Sequence, residues 1–253
     1  DNGSTDFCGI NSFDVDKANF DCSDVGSNTV VLTVMDVNGN SNTSTATVTV
    51  IDSIPPTSLC QNLTVFLDAS GIATITPSDV NAGSFDNCSV STLSLSDTIF
   101  TCADVGGTTV TLTVGDVNNN FSTCTSTITV VDTISPTIIT QDLNVYLDGN
   151  GQASVTANDA DNGSSDNCQI STKVIGQTNF DCDDLGANII SFIVTDINGN
   201  QSNSTFTLTV LDTISPTITT RTHTAYLDAN GDVSIDIIDV SSGTSNACSI
   251  DTV

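Results

Sequence analysis

Apolar and polar residues alternate in short runs along this chain, and no run shows a helical period. Between positions 143 and 212 the runs read LNVYLD, QASVTA, QISTKVI, NIISFIVTD and STFTLTVLD, separated by clusters of Gly, Asn and Asp. Such alternation marks strands with one face on a core and the other in water. The segment LDGNGQ (147–152) predicts a turn between the first two strands. DINGN (196–200) predicts a tight hairpin joining the last two, because Asn-Gly readily takes positive φ.

The pattern repeats. Cys8, Cys88, Cys168 and Cys248 are spaced by 80, as are Cys22, Cys102 and Cys182, and Asp36, Asp116 and Asp196. The linkers IDSIPPT (51–57), VDTISPT (131–137) and LDTISPT (211–217) keep the same register. The expected organisation is the C-terminal part of one repeat (1–57), two full repeats (58–137 and 138–217) and the N-terminal part of another (218–253), a window on a longer array. About six or seven strands per repeat predict an all-β fold, a tandem array of immunoglobulin-like antiparallel sandwiches forming an elongated rod. At about 3.3 Å per strand residue, each sandwich is expected to be roughly 35–40 Å long.

Composition narrows the function classes. The chain has 253 residues, 30 acidic and three basic, for a net charge of −27, and every acid is aspartate. That charge argues against nucleic acid or anionic membranes as partners, which need Lys and Arg clusters. Val, Ile, Thr and Ser suit strands, whereas Asp suits turns and short-reach oxygen ligation. No apolar run approaches the roughly 18–20 residues that span a bilayer.

Nine cysteines fall on the repeat. Cys8–Cys22, Cys88–Cys102 and Cys168–Cys182 are fourteen apart and predict one bridge per repeat, leaving Cys248 as the first half of a pair cut off by the end of the window. Cys60 and Cys124 occur only in the second repeat, where the third has Thr140 and Ser204, and are expected to bond to each other. Zinc is disfavoured by a single histidine and the lack of any C-x-x-C pair. Disulfides imply an oxidising, extracellular location.

The loop NDADNGSSDNC (158–168) and the hairpin 196–200 are expected at one end of the sandwich, where the incoming linker also arrives. Asp132, Asp159, Asp161, Asp166 and Asp196, with Asn198 and Asn200, are therefore candidate ligands of a composite calcium site, since calcium takes six to eight hard oxygens. The corresponding candidates are Asp52, Asp79, Asp86 and Asp116 in the second repeat, Asp1, Asp6 and Asp36 in the first, and Asp212 and Asp239 in the fourth. An EF-hand does not fit, because the glycine is one place early and Ile170 stands where the closing Glu belongs. The competing reading is a set of Asx-turns with their charge in water. The turn 147–151 near Asp212 is a second metal candidate that a hairpin turn also explains.

Catalysis finds little support. His223 stands alone without a triad partner, and Tyr146 and Tyr226 with no tryptophan make a poor sugar-binding cleft. Phe20, Phe100 and Phe180 recur at 80-residue spacing as expected core plugs.

The order of early Cys60, DNC (86–88), VGDVNNN (114–120), late Cys124 and the element TDINGN (195–200) resembles the HYR (hyalin repeat) module of extracellular adhesion proteins. NGSSDNC (162–168), NFDCDDLGAN (179–188) and TVTVIDSIPPT (47–57) are similar to the repeats of giant Bacteroidetes surface adhesins, of the SprB gliding-motility type. The resemblance implies a non-enzymatic, cell-surface stalk that grips an external glycan or protein. A ligand-binding module and the stalk of a secreted enzyme are the alternatives. DSI (52–54) and DTI (97–99, 132–134, 212–214) resemble O-glycosylation acceptors in that group, which marks Ser53, Thr98, Thr133 and Thr213.

Overall fold

The structure, a computed structural model, describes residues 1–248. The chain forms two compact units, one of residues 1–66 with 72–131, the other of residues 67–71 with residues 132 onward.

In the first unit the second repeat forms a four-stranded sheet in the order Leu63–Phe66, Phe121–Val131, Gly106–Asp116, Val90–Leu95. Leu63–Phe66 runs parallel to the last strand, while the other neighbours are antiparallel. A second, two-stranded sheet pairs Ile72–Thr74 with Ile99–Thr101. Period-two alternation places Val110, Leu112 and Val114 of one long strand and Ile128 and Val130 of the other in the core. Phe100, from the small sheet, plugs it at 1% exposure.

The third repeat copies this plan in the second unit: Leu143–Tyr146, Gln201–Leu211, Gly186–Asp196, Ile170–Ile175, with Ala153–Ser154 pairing Asn179–Phe180. Its core holds Phe180, Phe192, Val194, Leu208 and Val210. These are all-β immunoglobulin-like sandwiches in tandem.

One expected strand is shorter than its pattern. Of QASVTA, only Ala153–Ser154 is strand, and Thr156 then caps a helical turn over Ala157–Ala160. A helical N-terminus that recruits a threonine and an aspartate three residues later outcompetes strand extension there.

The flanking parts are thinner. The first repeat contributes a three-stranded sheet (Ile10–Val15, Gly26–Asp36, Ser41–Val50) in which Val30 is its buried apolar residue among the described residues. Phe20, its counterpart of Phe100, is half-buried under the Lys17 ammonium, 5.3 Å from the ring centre. In the fourth, Thr217–Thr220 pairs with Ser241–Ser245, and Tyr226, Leu227 and Ile235 are exposed.

The cystines overturn the fourteen-residue pairing. Cys22 bonds to Cys88 and Cys182 to Cys248, each 66 residues apart, while Cys60 bonds to Cys124. Cys8 is free and exposed, so Cys8–Cys22 is not formed, and Cys248 is paired rather than left over. Cys102 and Cys168 are disulfide-bonded too, though not to Cys88 and Cys182, whose partners are already named. The reason is strand length. Cys88 precedes Val90, which pairs with Asp116, and Cys102 precedes Gly106 at the other end of the same eleven-residue strand. That strand is on the order of 33 Å long, whereas bridged Cα atoms lie no more than about 7 Å apart.

Candidate metal centre

Each full repeat carries at one end a group of three aspartates from three separate segments. At the second repeat they are Asp86 and Asp116 with Asp52 of the incoming linker; at the third, Asp166 and Asp196 with Asp132 of the incoming linker. In both groups the candidate ligand oxygens lie within 4.8 Å of one another.

Local sequence builds each arm the same way. Asp52 follows the last strand of the preceding repeat, and its Oδ1 accepts the N–H of Ile54 at 3.1 Å. Asp132 does the same with Ile134. In the D-N-C segment, Asp86 Oδ2 accepts the Cys88 N–H at 2.8 Å, and Asp166 Oδ2 accepts that of Cys168 at 2.9 Å. In the hairpin, Asp116 Oδ1 accepts the N–H groups of Asn118 and Asn120, both at 2.8 Å, and Asp196 matches it with Asn198 and Asn200. The hairpin turns through positive φ at Gly199, and at Asn119 in the other repeat, a conformation asparagine tolerates. These are Asx-turns, and each uses up one side of its carboxylate.

Asparagine side chains then tie the arms together. Asn87 Nδ2 donates to Asp52 Oδ1 at 3.3 Å, and Asn167 Nδ2 to Asp132 Oδ1 at 3.1 Å. Asn120 Nδ2 donates both to Asp116 Oδ2 and to the Asp52 carbonyl, and Asn200 repeats this on Asp196 and Asp132. What remains is a set of buried oxygens with no hydrogen-bond partner. They are Asp52 Oδ2, Asp86 Oδ1 and Asn118 Oδ1 in one centre, and Asp132 Oδ2, Asp166 Oδ1 and Asn198 Oδ1 in the other. The same atoms are left at the same repeat positions in both.

Buried oxygens without donors are costly. Asp116, Asp132 and Asp196 are only 3%, 6% and 2% exposed. Ionised carboxylates this close repel by about 4 kcal/mol per pair at an effective dielectric near 20. The three basic side chains are committed elsewhere: Lys17 to Asp24, Lys173 to Asp161, and Arg221 to the carbonyls of Asp239 and Ile238. Burial works against the charge on Asp116, yet the Asn120 amide and the N–H groups of Asn120, Asn118 and Asn119 hold its carboxyl below the ordinary range. All-oxygen donors, three of them carboxylates, fit a hard divalent cation, and calcium in particular accepts short Asp and Asn arms with water completing the shell.

Other candidates are placed differently. Asp159 and Asp79 sit three residues into their helical turns, where Oδ2 accepts the N–H and hydroxyl of Thr156 and Thr76. Asp239 accepts the Asp236 N–H in the equivalent turn. Asp161 is paired with Lys173 at 2.5 Å and is not part of the group. Asp1 holds Ser4, Asp6 accepts the Cys8 N–H, and Asp36 forms the hairpin Asx-turn, and among the described residues these three do not gather into a carboxylate group like the other two. Asp212 accepts the Ile214 N–H at 2.9 Å, and Asn246 stands where Asp166 does one repeat earlier. The turn at 147–151 is closed by Asp148 accepting the N–H groups of Asn150 and Gln152. Its Gly151, at φ +75°, packs on the cystine: a Cβ there would lie 2.8 Å from Cys182 Sγ.

Sequence reading missed Asn87, Asn118, Asn120 and Asn167. Asn118 and Asn120 lie 80 residues before the named Asn198 and Asn200, so the repeat itself carried their signal. His223 is exposed, as are Ser53, Thr98, Thr133 and Thr213.

No family model matches the chain, and no curated protein matches it. Among solved structures, the chain is similar to protocadherin gamma B7 extracellular cadherin domains 1–4, at 13% identity and TM-score 0.32, over 81% of this chain and 63% of that one. It is similar to the protocadherin gammaB4 extracellular domain at 17% identity and TM-score 0.33, over 94% and 48%. Mouse cadherin-23 EC22–24 follows at 15% identity and TM-score 0.33, over 77% and 78%. The chain thus spans less than two thirds of the length of the two protocadherins. Among the described residues, no helix is long and apolar enough to cross a membrane.

Proposed function

We propose that the chain is a non-enzymatic stretch of an extracellular repeat stalk from a large cell-surface adhesin, with calcium bound at both three-aspartate centres. The observation that carries this reading is the recurrence of one donor set, in which a linker aspartate meets two loop aspartates of the following repeat and buried oxygens lack donors. Asp52, Asp86, Asp116 and Asn118 would hold one ion, and Asp132, Asp166, Asp196 and Asn198 the other. When bound, calcium supplies the positive charge that lets three neighbouring carboxylates remain ionised. The chain's own residues fix the arms: Asx-turns orient each carboxylate, and asparagine amides brace them.

Cystines support an oxidising, extracellular setting. The Cys22–Cys88 bridge joins one repeat to the next, so tension passes through a covalent link as well as through the linker. The finer reading is an HYR-like adhesin of the gliding-motility type, supported by the motifs NGSSDNC and TDINGN. Exposed Ser53, Thr98, Thr133 and Thr213 are its proposed O-glycosylation positions.

Thermal melts with calcium and with EDTA test the cation. A site saturated a hundredfold above its Kd adds about 2.7 kcal/mol, so a rise of several degrees is expected, with two ions counted by calorimetry. An unchanged melt would remove calcium from the proposal.

A further inference from the structure

The cystine and the carboxylates meet in one tripeptide, Asp86-Asn87-Cys88. Asp86 contributes a buried oxygen without a donor, and its other oxygen accepts the Cys88 N–H at 2.8 Å. Asn87 Nδ2 holds Asp52 Oδ1 at 3.3 Å, which leaves Asp52 Oδ2 as the oxygen without a partner. Cys88 is bonded to Cys22, at the start of a short turn in the preceding repeat, with the two Cα atoms 5.3 Å apart. Phe20, Asp21, Cys22, Asp52, Asn87 and Cys88 line one shared pocket. The bridge therefore pins the segment that supplies one ligand and orients a second, and it pins that segment to the repeat that supplies the linker. The third repeat has the same tripeptide, with Asp132 Oδ2 without a partner on a residue only 6% exposed.

We propose that the Cys22–Cys88 disulfide positions the Asp52–Asp86–Asp116 centre for its cation, so that thiol–disulfide state and calcium affinity are coupled. This rests on the reading that the centre takes calcium. With the bridge closed, the D-N-C segment is already in place, and binding does not have to order it. With the bridge open, ordering is subtracted from the affinity. Linkage makes the coupling reciprocal: calcium shifts the disulfide equilibrium toward the oxidised form by the same factor. Reduction by a small dithiol transfers two electrons, breaks the S–S bond, leaves Cys22 and Cys88 as thiols, and closes the dithiol into its own cyclic disulfide.

Calorimetric calcium titration of the full chain and two double variants tests this. In Cys22→Ser/Cys88→Ser, one of the two sites should weaken by about tenfold or more, within the range for coupled sites, while the site built on Asp132 keeps its affinity. Cys60→Ser/Cys124→Ser removes a cystine of the same repeat away from the centre and should leave both affinities unchanged. Equal affinities in all three proteins would overturn the coupling but leave calcium binding standing, as would equal weakening by both variants. No calcium uptake by the oxidised wild-type chain would overturn the calcium reading itself. A measurement without substitution guards against misfolding: alkylation and mass analysis of Cys22 and Cys88 after equilibration with dithiothreitol. Calcium should lower the reduced fraction relative to EDTA, and an identical fraction would overturn the coupling.

Discussion

The second and third repeats share strands, hairpin and aspartate centre, but they are held together differently inside. The second has the Cys60–Cys124 cystine, and Ser126, 2% exposed, donates its hydroxyl to the Gln61 carbonyl at 2.6 Å. The third lacks the cystine and puts Phe206 where Ser126 stands and Phe192 where Leu112 stands, at 4% and 0% exposure. The register makes the exchange direct, since Leu112 faces Cys124 across the sheet and Phe192 faces Ser204. In the chain-entropy model a bridge across 64 residues contributes about 4 kcal/mol. Fully burying one large apolar side chain contributes about 1.5–3 kcal/mol. A small sandwich can thus be secured covalently or by filling its core, and the metal centre does not have to make up the difference.

The first way to break the comparison is to empty the third core. Phe206→Ala should cost about 3–5 kcal/mol in the third repeat, through lost burial plus cavity, read by chemical denaturation. A loss below about 1 kcal/mol would mean that the phenylalanine does not replace the cystine. The second way is to open the cystine. Cys60→Ser/Cys124→Ser should cost about 2–4 kcal/mol and destabilise the second repeat alone. If both repeats soften equally, they do not unfold independently, and the contrast between them has no separate thermodynamic meaning.

Much of this was legible in the residues. The 80-residue period and the strand alternation gave the sandwich, and the meeting of linker, D-N-C segment and hairpin followed from their placement at strand ends. Cys60–Cys124 was legible and forms as expected, but the partners of the cysteines that recur every 80 residues were not, for an arithmetic reason. A cysteine fourteen residues on within a repeat and one 66 residues on in the next are complementary parts of the same 80, so the period is satisfied by either pairing. Each pairing also leaves one of nine cysteines over, Cys248 in the first case and Cys8 in the second. Only strand length decides. Within NDADNGSSDNC the roles of the aspartates were hidden as well. Whether Asp159 is a ligand or a cap depends on a four-residue helical turn that leaves no periodic trace, and Asp161 was claimed by a lysine twelve positions away.

That lysine gives the smallest contrast. Asp161 and Lys173 are 2.5 Å apart, with side chains 12% and 23% exposed, whereas the second repeat has Asn81 and Leu93 at these positions. Burial pushes the Asp161 carboxyl up, but Lys173 and the Ser164 hydroxyl and N–H outweigh it and hold the carboxyl below its ordinary range. A carboxyl depressed in the folded state stabilises the fold above its unfolded pKa of about 3.9, and that contribution is lost as pH falls through the lower folded value. Lys173→Met keeps the stem and removes the charge. It should cost at most about 1 kcal/mol at pH 7, since solvent still screens the pair, and the gap to wild type should close as the medium is acidified below about pH 4. Paired denaturation curves at pH 7 and pH 3 read the difference. If the gap persists at the lower pH, Lys173 acts through its packing, and the ion pair is no part of what distinguishes the third repeat from the second.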